Sequence, residues 1–343
     1  MSLTVVLRIA TGTGFVLMLK LLFSTVAPET GAPRYVSTSL DSDQRPDDLL
    51  RLVMVGQAPR PLVGLWSDHE GRSIAVGHGG TIVQHQGHGL GLSKMTTNNP
   101  YYLRGVWATD LQDIFAVGES GTVLHFDGLS FRAMAVPTTA RLEAVWGAAT
   151  DAVFAVGGIG VILHYDGYDW SQMEVATSAY LEDVWGTDAR NVFAVGAFGT
   201  ILHHDGYGWT AMDTTTDTYL TTIAGTGGDD VFAAGFDGII LHFNGRSWSA
   251  MDSGTAKTIL AIAVATPEDV WAVGTDKTIL HYDGRRWSSM KHDAHGMFQD
   301  VALASGAPVF IDRCGHLYEL EQPSVDMVLA ETDLVRTSIM TGF

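Results

Sequence analysis

Leu181-Glu-Asp-Val-Trp-Gly186, Asn191-Val-Phe-Ala-Val-Gly196, Gly199-Thr-Ile-Leu-His-His-Asp-Gly206 and Trp209-Thr-Ala-Met212 make up one unit of a pattern that the chain repeats about six times. The closing methionines fall at Met95, Met134, Met173, Met212, Met251 and Met290, a constant step of 39 residues. His125, His164, His203, His242 and His281 keep the same step. Four short apolar runs in a period of about 40 residues are the mark of a β-propeller blade.

Each unit reads as four strands. Leu142 to Trp146 and Val153 to Gly157 are short, rich in Val, Phe and Ala, and fit strands buried on both faces. The third run, Val161 to Tyr165, ends in Asp166-Gly167, with equivalents at Asp127-Gly128, Asp205-Gly206, Asn244-Gly245 and Asp283-Gly284. Asp-Gly and Asn-Gly tolerate the positive φ of a tight hairpin. A large aromatic then opens the fourth strand: Phe131, Trp170, Trp209, Trp248, Trp287. First strands begin near Leu62, Leu103, Leu142, Leu181, Leu220, Leu260 and Gln299, which predicts an all-β propeller of seven four-stranded blades, with six as the alternative. A blade is apolar on both faces, so the ring must close, and either Leu50 to Val55 or Val325 to Ala330 could supply the missing outer strand of the last blade.

Between Leu62 and Leu320 the units resemble propeller repeats of the BNR/Asp-box superfamily and of photosystem II assembly and stability factors. The Val-Phe-Ala-Val-Gly strand and the Asp-Gly-x-x-Trp corner, as in Asp166-Gly167-Tyr168-Asp169-Trp170, carry the likeness. The corner is shorter than a full Asp-box, Ser-x-Asp-x-Gly-x-Thr-Trp. The resemblance implies an accessory propeller serving a photosynthetic or other bioenergetic complex.

The formal charge is -18, and residues 51–343 hold 16 of the 20 Lys and Arg against 33 of the 38 Asp and Glu. No basic stripe exists to meet a phosphate backbone, which argues against nucleic acid. The single cysteine, Cys314, excludes an intrachain disulfide and a zinc cage built from cysteines. Residues 1–27 form a hydrophobic membrane anchor or signal segment interrupted by Arg8 and Lys20, and residues 28–49 a polar linker. The propeller is assigned to residues 50–331 and a C-terminal tail to 332–343. Pro28 and Pro33 follow the two small-residue cleavage sites and hinder cleavage, which favours a retained anchor or an in-plane interfacial helix over a cleaved signal or a soluble helix. With Arg8 inside and an acidic linker following, the propeller is expected on the extracytoplasmic, periplasmic side of the membrane.

The repeated histidines sit on third strands, too far apart from blade to blade for one ion, and read as structural. His85 with His88, and His292 with His295, are paired only in loops. The Asp of each Asp-Gly corner reads as a turn former, and the arginines, Arg104 and Arg141 among them, as scattered turn residues. No hydrolase, phosphate-binding or dinucleotide motif is present, so no catalytic residue, metal or cofactor is assigned. Function is expected where the repeats disagree. The second-to-third-strand turn carries Ile159, Phe198 and Phe236 on three consecutive blades, beside Tyr101, Tyr102, Tyr180, Tyr219 and Phe298 in the interblade links. Together they predict an aromatic, apolar arc that binds an integral membrane protein complex. On the opposite face, hairpins carry Tyr168 and Tyr207, then Arg246, Arg285 and Arg286. Trp66, Trp107, Trp146 and Trp185 give way to Ala224, Ala263 and Ala302 on the first strands, leaving either a pocket or altered packing. The expectation is a non-catalytic scaffold; a glycan- or small-ligand-binding propeller and a degenerate hydrolase are the alternatives.

Overall fold

The computed structural model describes residues 50–87 and 90–321. They form seven antiparallel sheets of four strands, a seven-bladed propeller. The first blade is built from Leu62–Ser67, Ser73–Gly77, Thr81–His85 and Leu92–Met95, and five more follow in chain order. The seventh takes Phe298–Ala304, Ala307–Asp312 and His316–Leu320, and its outermost strand is Leu52–Gln57. The last two blades begin at Ile259 and Phe298, one residue earlier than the spacing suggested. The slot demands a fully buried apolar side chain, and Ile259 and Phe298 fill it as Leu62, Leu103, Leu142, Leu181 and Leu220 do.

The N-terminal candidate closes the ring, two residues later than expected. Leu52 pairs with Leu320, Val53 with Glu319 and Met54 with Tyr318; a bulge at Val55 then sets Gly56 against Leu317 and Gln57 against His316. The alternative closing segment at 325–330, the hydrophobic segment 1–27, the linker 28–49, the tail 332–343 and His88 lie outside the described residues.

Each core cluster lies between blades. Phe115 and Val117 of the second blade, for example, share one with Leu142, Val145, Tyr165 and Trp170 of the third. The seam is built the same way, with Leu62, Ala75 and Val83 packed on Val309, Ile311 and Leu317. Burying one such Phe or Leu stabilises by about 1.5–3 kcal/mol, and no blade can collect that alone.

The recurring residues now have mechanical reasons. His125, His203, His242 and His281 hydrogen bond through Nε2 to Asp113, Asn191, Asp230 and Asp269 at 2.6–2.8 Å while lying against Phe115, Phe193, Phe232 and Trp271. The corner aspartates accept two backbone N–H groups each: Asp166 Oδ1 takes those of Tyr168 and Asp169 at 2.9 Å, which holds its carboxyl below the usual range. The indole N–H of Trp170 and of Trp209 donates to the sulfur of Met134 and of Met173, one blade back, at 3.3 Å. The lopsided first strands reflect packing. Trp107, Trp146 and Trp185 lie on Gly147, Gly186 and Gly225 of the next blade, whereas Ala224 and Ala263 share their interfaces with Val264 and Leu303. Volume lost on one blade is restored on its neighbour.

Candidate docking face

The turn between second and third strands is a single tight helical turn ended by two residues in the left-handed region. The second is Gly80, Gly121, Gly160, Gly199 or Gly238 in the first five blades, and in all five a Cβ would stand 1.8–2.3 Å from a carbonyl oxygen, so only glycine fits. The first is open to substitution: Gly79, Ser120, Ile159, Phe198, Asp237, Asp276. Ile159 and Phe198 both hold φ 59° there, a conformation that costs a non-glycine residue about 1–2 kcal/mol and is least natural for a β-branched one. Their side chains gain no burial in return, being 78% and 80% exposed. Strain combined with exposed apolar surface points to a contact that the isolated chain does not make.

Phe236 occupies the preceding turn position, is 45% exposed, and stacks on Tyr219 with ring centroids 5.0 Å apart. Beside Ile159, a groove of about 630 Å³ runs between the third and fourth blades, lined by Met173, Val175, Thr177 and Trp209. Each turn is fixed to the link entering its own blade: the N–H of Ala197 donates to the Tyr180 carbonyl at 2.8 Å, and that of Phe236 to the Tyr219 carbonyl at 2.9 Å. Turns and links therefore share one face.

The link aromatics divide. Tyr101 is exposed. Tyr102 is partly covered, 4.1 Å from the ring of His78 and 4.6 Å beneath the guanidinium of Arg104. The hydroxyls of Tyr180 and Tyr219 donate to Glu143 and Glu182 on the innermost strand of the preceding blade. Burial, with the neighbouring carboxylates, pushes both phenols well above their ordinary range. Phe298 is not part of the arc: it is fully buried in the leucine slot, and Met297 holds the link position.

A second correction concerns the arginines. Arg104 and Arg141 are not scattered turn residues; both reach the buried Glu143, Arg104 at 3.1 Å, and Arg104 also meets Glu119 at 3.1 Å. Tyr102, Arg104, Glu143, Arg141 and Tyr180 form a polar ladder across the second, third and fourth blades. Sequence reading missed it because each member looks unremarkable in its own blade. The recurring offset of 37 residues, Glu143 to Tyr180 and Glu182 to Tyr219, was the available signal.

The innermost strands carry two more unforeseen acids. Asp183 accepts the N–H of Val184 at 2.8 Å and, across the blade boundary, that of Ile223 at 2.9 Å. Asp300 likewise accepts from Val301 at 2.8 Å and from Leu65 of the first blade at 2.7 Å. Burial raises Asp183 to about 7 and Asp300 to about 8 against these hydrogen bonds. Both tie neighbouring blades together at the hub.

The opposite face bears its own exposed apolar tips, Leu129, Tyr168 and Tyr207, on the second to fourth blades. Leu129 had gone unnoticed in the sequence. Arg246, Arg285 and Arg286 occupy the turns of the following two blades, where the N–H groups of Arg285 and Arg286 bind Asp283.

No sequence family and no curated protein matches the chain. Solved structures match it in fold. YCF48 bound to D1 peptide is 14% identical, with a TM-score of 0.65 over 81% of this chain and 99% of that one. YCF48 from Cyanidioschyzon merolae is 15% identical, with a TM-score of 0.64 over 79% and 98%. Virginiamycin B lyase from Staphylococcus aureus is 11% identical, with a TM-score of 0.70 over 79% and 99%. The likeness to the photosystem-type propellers is thus met at the level of architecture, while nothing singles out the BNR/Asp-box branch. A lyase among the neighbours means that the shared fold does not by itself separate catalyst from scaffold.

Proposed function

We propose that the chain is a non-catalytic propeller that docks on an integral membrane protein complex through the face bearing Ile159, Phe198 and Phe236. The observation that carries this reading is the pair of strained, exposed side chains on adjacent blades, one of which, Ile159, lines a groove that can receive an apolar residue. Tyr101 extends the apolar rim and Tyr219 backs it by stacking on Phe236, whereas Tyr102 and Tyr180 lie against Arg104 and Arg141. The polar ladder supplies fixed charges close by, which suit orientation more than affinity. YCF48, one of the structural neighbours, has been captured with a D1 peptide, and the sequence resemblance implies a photosynthetic or other bioenergetic client; an extended segment of a membrane subunit is the ligand we assign. The reading places the propeller on the extracytoplasmic surface, tethered by residues 1–27.

The test is co-purification with integral membrane proteins from detergent-solubilised membranes. Changing Ile159 and Phe198 to Asp should abolish recovery of the partner with no fall in Tm, since both side chains are solvent-facing. Unchanged recovery sinks the assignment. A glycan-binding alternative rests on the exposed Tyr168 and Tyr207 of the opposite face. It requires glycan-array binding that survives the Asp pair and is lost when both tyrosines become Ala.

A further inference from the structure

The seventh blade breaks the repeat at one slot. Asp312 stands where the six other blades have Gly77, Gly118, Gly157, Gly196, Gly235 or Gly274, each paired with the first residue of its innermost strand as Asp312 pairs with Phe298. In those six a Cβ would stand 1.9–2.1 Å from a carbonyl oxygen. Here the room comes from Gly296, whose own Cβ would lie 1.8 Å from Asp312 Oδ2. An acid has been fitted into a position reserved elsewhere for no side chain.

Its surroundings are metal ligands. Oδ1 is held by the N–H groups of Cys314 and His316 at 2.8 and 2.9 Å, which fixes the carboxylate and leaves Oδ2 pointing at His316 Nδ1, 2.8 Å away, and Tyr318 Oη, 3.0 Å away. The last two atoms are 3.3 Å apart. A triangle of oxygen, nitrogen and oxygen with these sides matches the edges of a coordination polyhedron whose bonds are about 2.0–2.1 Å. Ligand atoms of Asp312, Cys314 and His316 all lie within 4.8 Å of one another, and Cys314, being exposed, is free to turn its sulfur inward. Asp312 is fully buried and Tyr318 nearly so, and His316 is half-buried, so the cluster opens to solvent on the side of His316 and Cys314.

We propose that Asp312, Cys314 and His316, with Tyr318 as fourth donor, bind a zinc-class divalent cation. The mixed sulfur, nitrogen and oxygen set suits zinc or cobalt(II) and not magnesium or calcium, which prefer all-oxygen shells. Binding displaces the thiol proton of Cys314 to solvent and requires His316 to carry its ring proton on Nε2, so that Nδ1 is free to coordinate. It also pins the hairpin whose third strand holds the ring-closing strand, since Met54 pairs with Tyr318 and Gln57 with His316. Metal binding and ring closure are thereby coupled.

Titration of the full chain with cobalt(II) tests this independently of docking. One equivalent should produce a thiolate-to-cobalt charge-transfer band that zinc abolishes, with proton release and a rise in Tm. Cys314→Ser should remove the band, and His316→Gln should weaken binding by about tenfold or more. Cys314→Ser keeps every hydrogen bond to the buried Asp312, so its metal-free melt should match the parent, whereas His316→Gln removes one and is read by its cobalt affinity, not by its melt. Absence of a thiolate band, or cobalt binding that survives both substitutions unchanged, overturns the proposal.

Discussion

The indole of Trp146 lies so close to Gly186 of the next blade that a Cβ on the glycine would stand 2.9 Å from its ring. The same contact joins Trp107 to Gly147 and Trp185 to Gly225, and it is exchanged for Ala224 beside Val264 further round the ring. Gly186→Val should therefore cost about 1–3 kcal/mol by overpacking. Adding Trp146→Ala should recover part of that loss, as the natural pairing of Ala224 with Val264 suggests. Urea denaturation of the two single variants and the double variant closes the cycle, and simple additivity would contradict the contact.

Ile159 gives an unusual expectation, because one substitution should move stability and docking in opposite directions. Ile159→Gly relieves the left-handed strain at φ 59° and should stabilise the propeller by about 1 kcal/mol. It also deletes the exposed side chain and should weaken partner recovery. A calorimetric melt beside the co-purification assay checks both halves.

The hub carboxylates set a pH dependence. Asp183 and Asp300 each start from an ordinary value of 3.8 and are raised to about 7 and about 8 in the folded chain. The folded state thus holds protons that the unfolded state has released. Their contribution to stability is full below pH of about 4 and is lost as the pH climbs through 7 and 8. Chemical denaturation from pH 5 to 8.5 should show this decline, and Asp183→Asn with Asp300→Asn should flatten it. A slope unaffected by the two substitutions would assign the titration elsewhere.

Most of the architecture was legible because thirty-nine-residue recurrence leaves little freedom: turn aspartates, stacked histidines and interblade tryptophans each declare themselves by returning. The closing strand was not legible, since Leu50 to Val55 and Val325 to Ala330 are both short and apolar and only pairing with His316–Leu320 decides between them. Ile159 and Phe198 could be read as exposed because they sit at a hairpin tip whose residue changes from blade to blade. The polar ladder could not be seen one blade at a time, because Glu143 meets Arg104 from the blade before and Tyr180 from the link after. Phe298 misled because it is aromatic in a position that asks only for apolar bulk.

The pairing of Leu52 with Leu320 has a kinetic consequence. Among the described strands the one made first is also the one needed last, so during synthesis it must wait unpaired while six blades emerge and pack in sequence. Closing so large a loop has a modest entropic cost but comes late, and until then the edge of His316–Leu320 and the free Leu52–Gln57 segment remain open to wrong partners, including those of a second nascent chain. Swapping of that single strand between molecules is the assembly error to which this topology is most exposed.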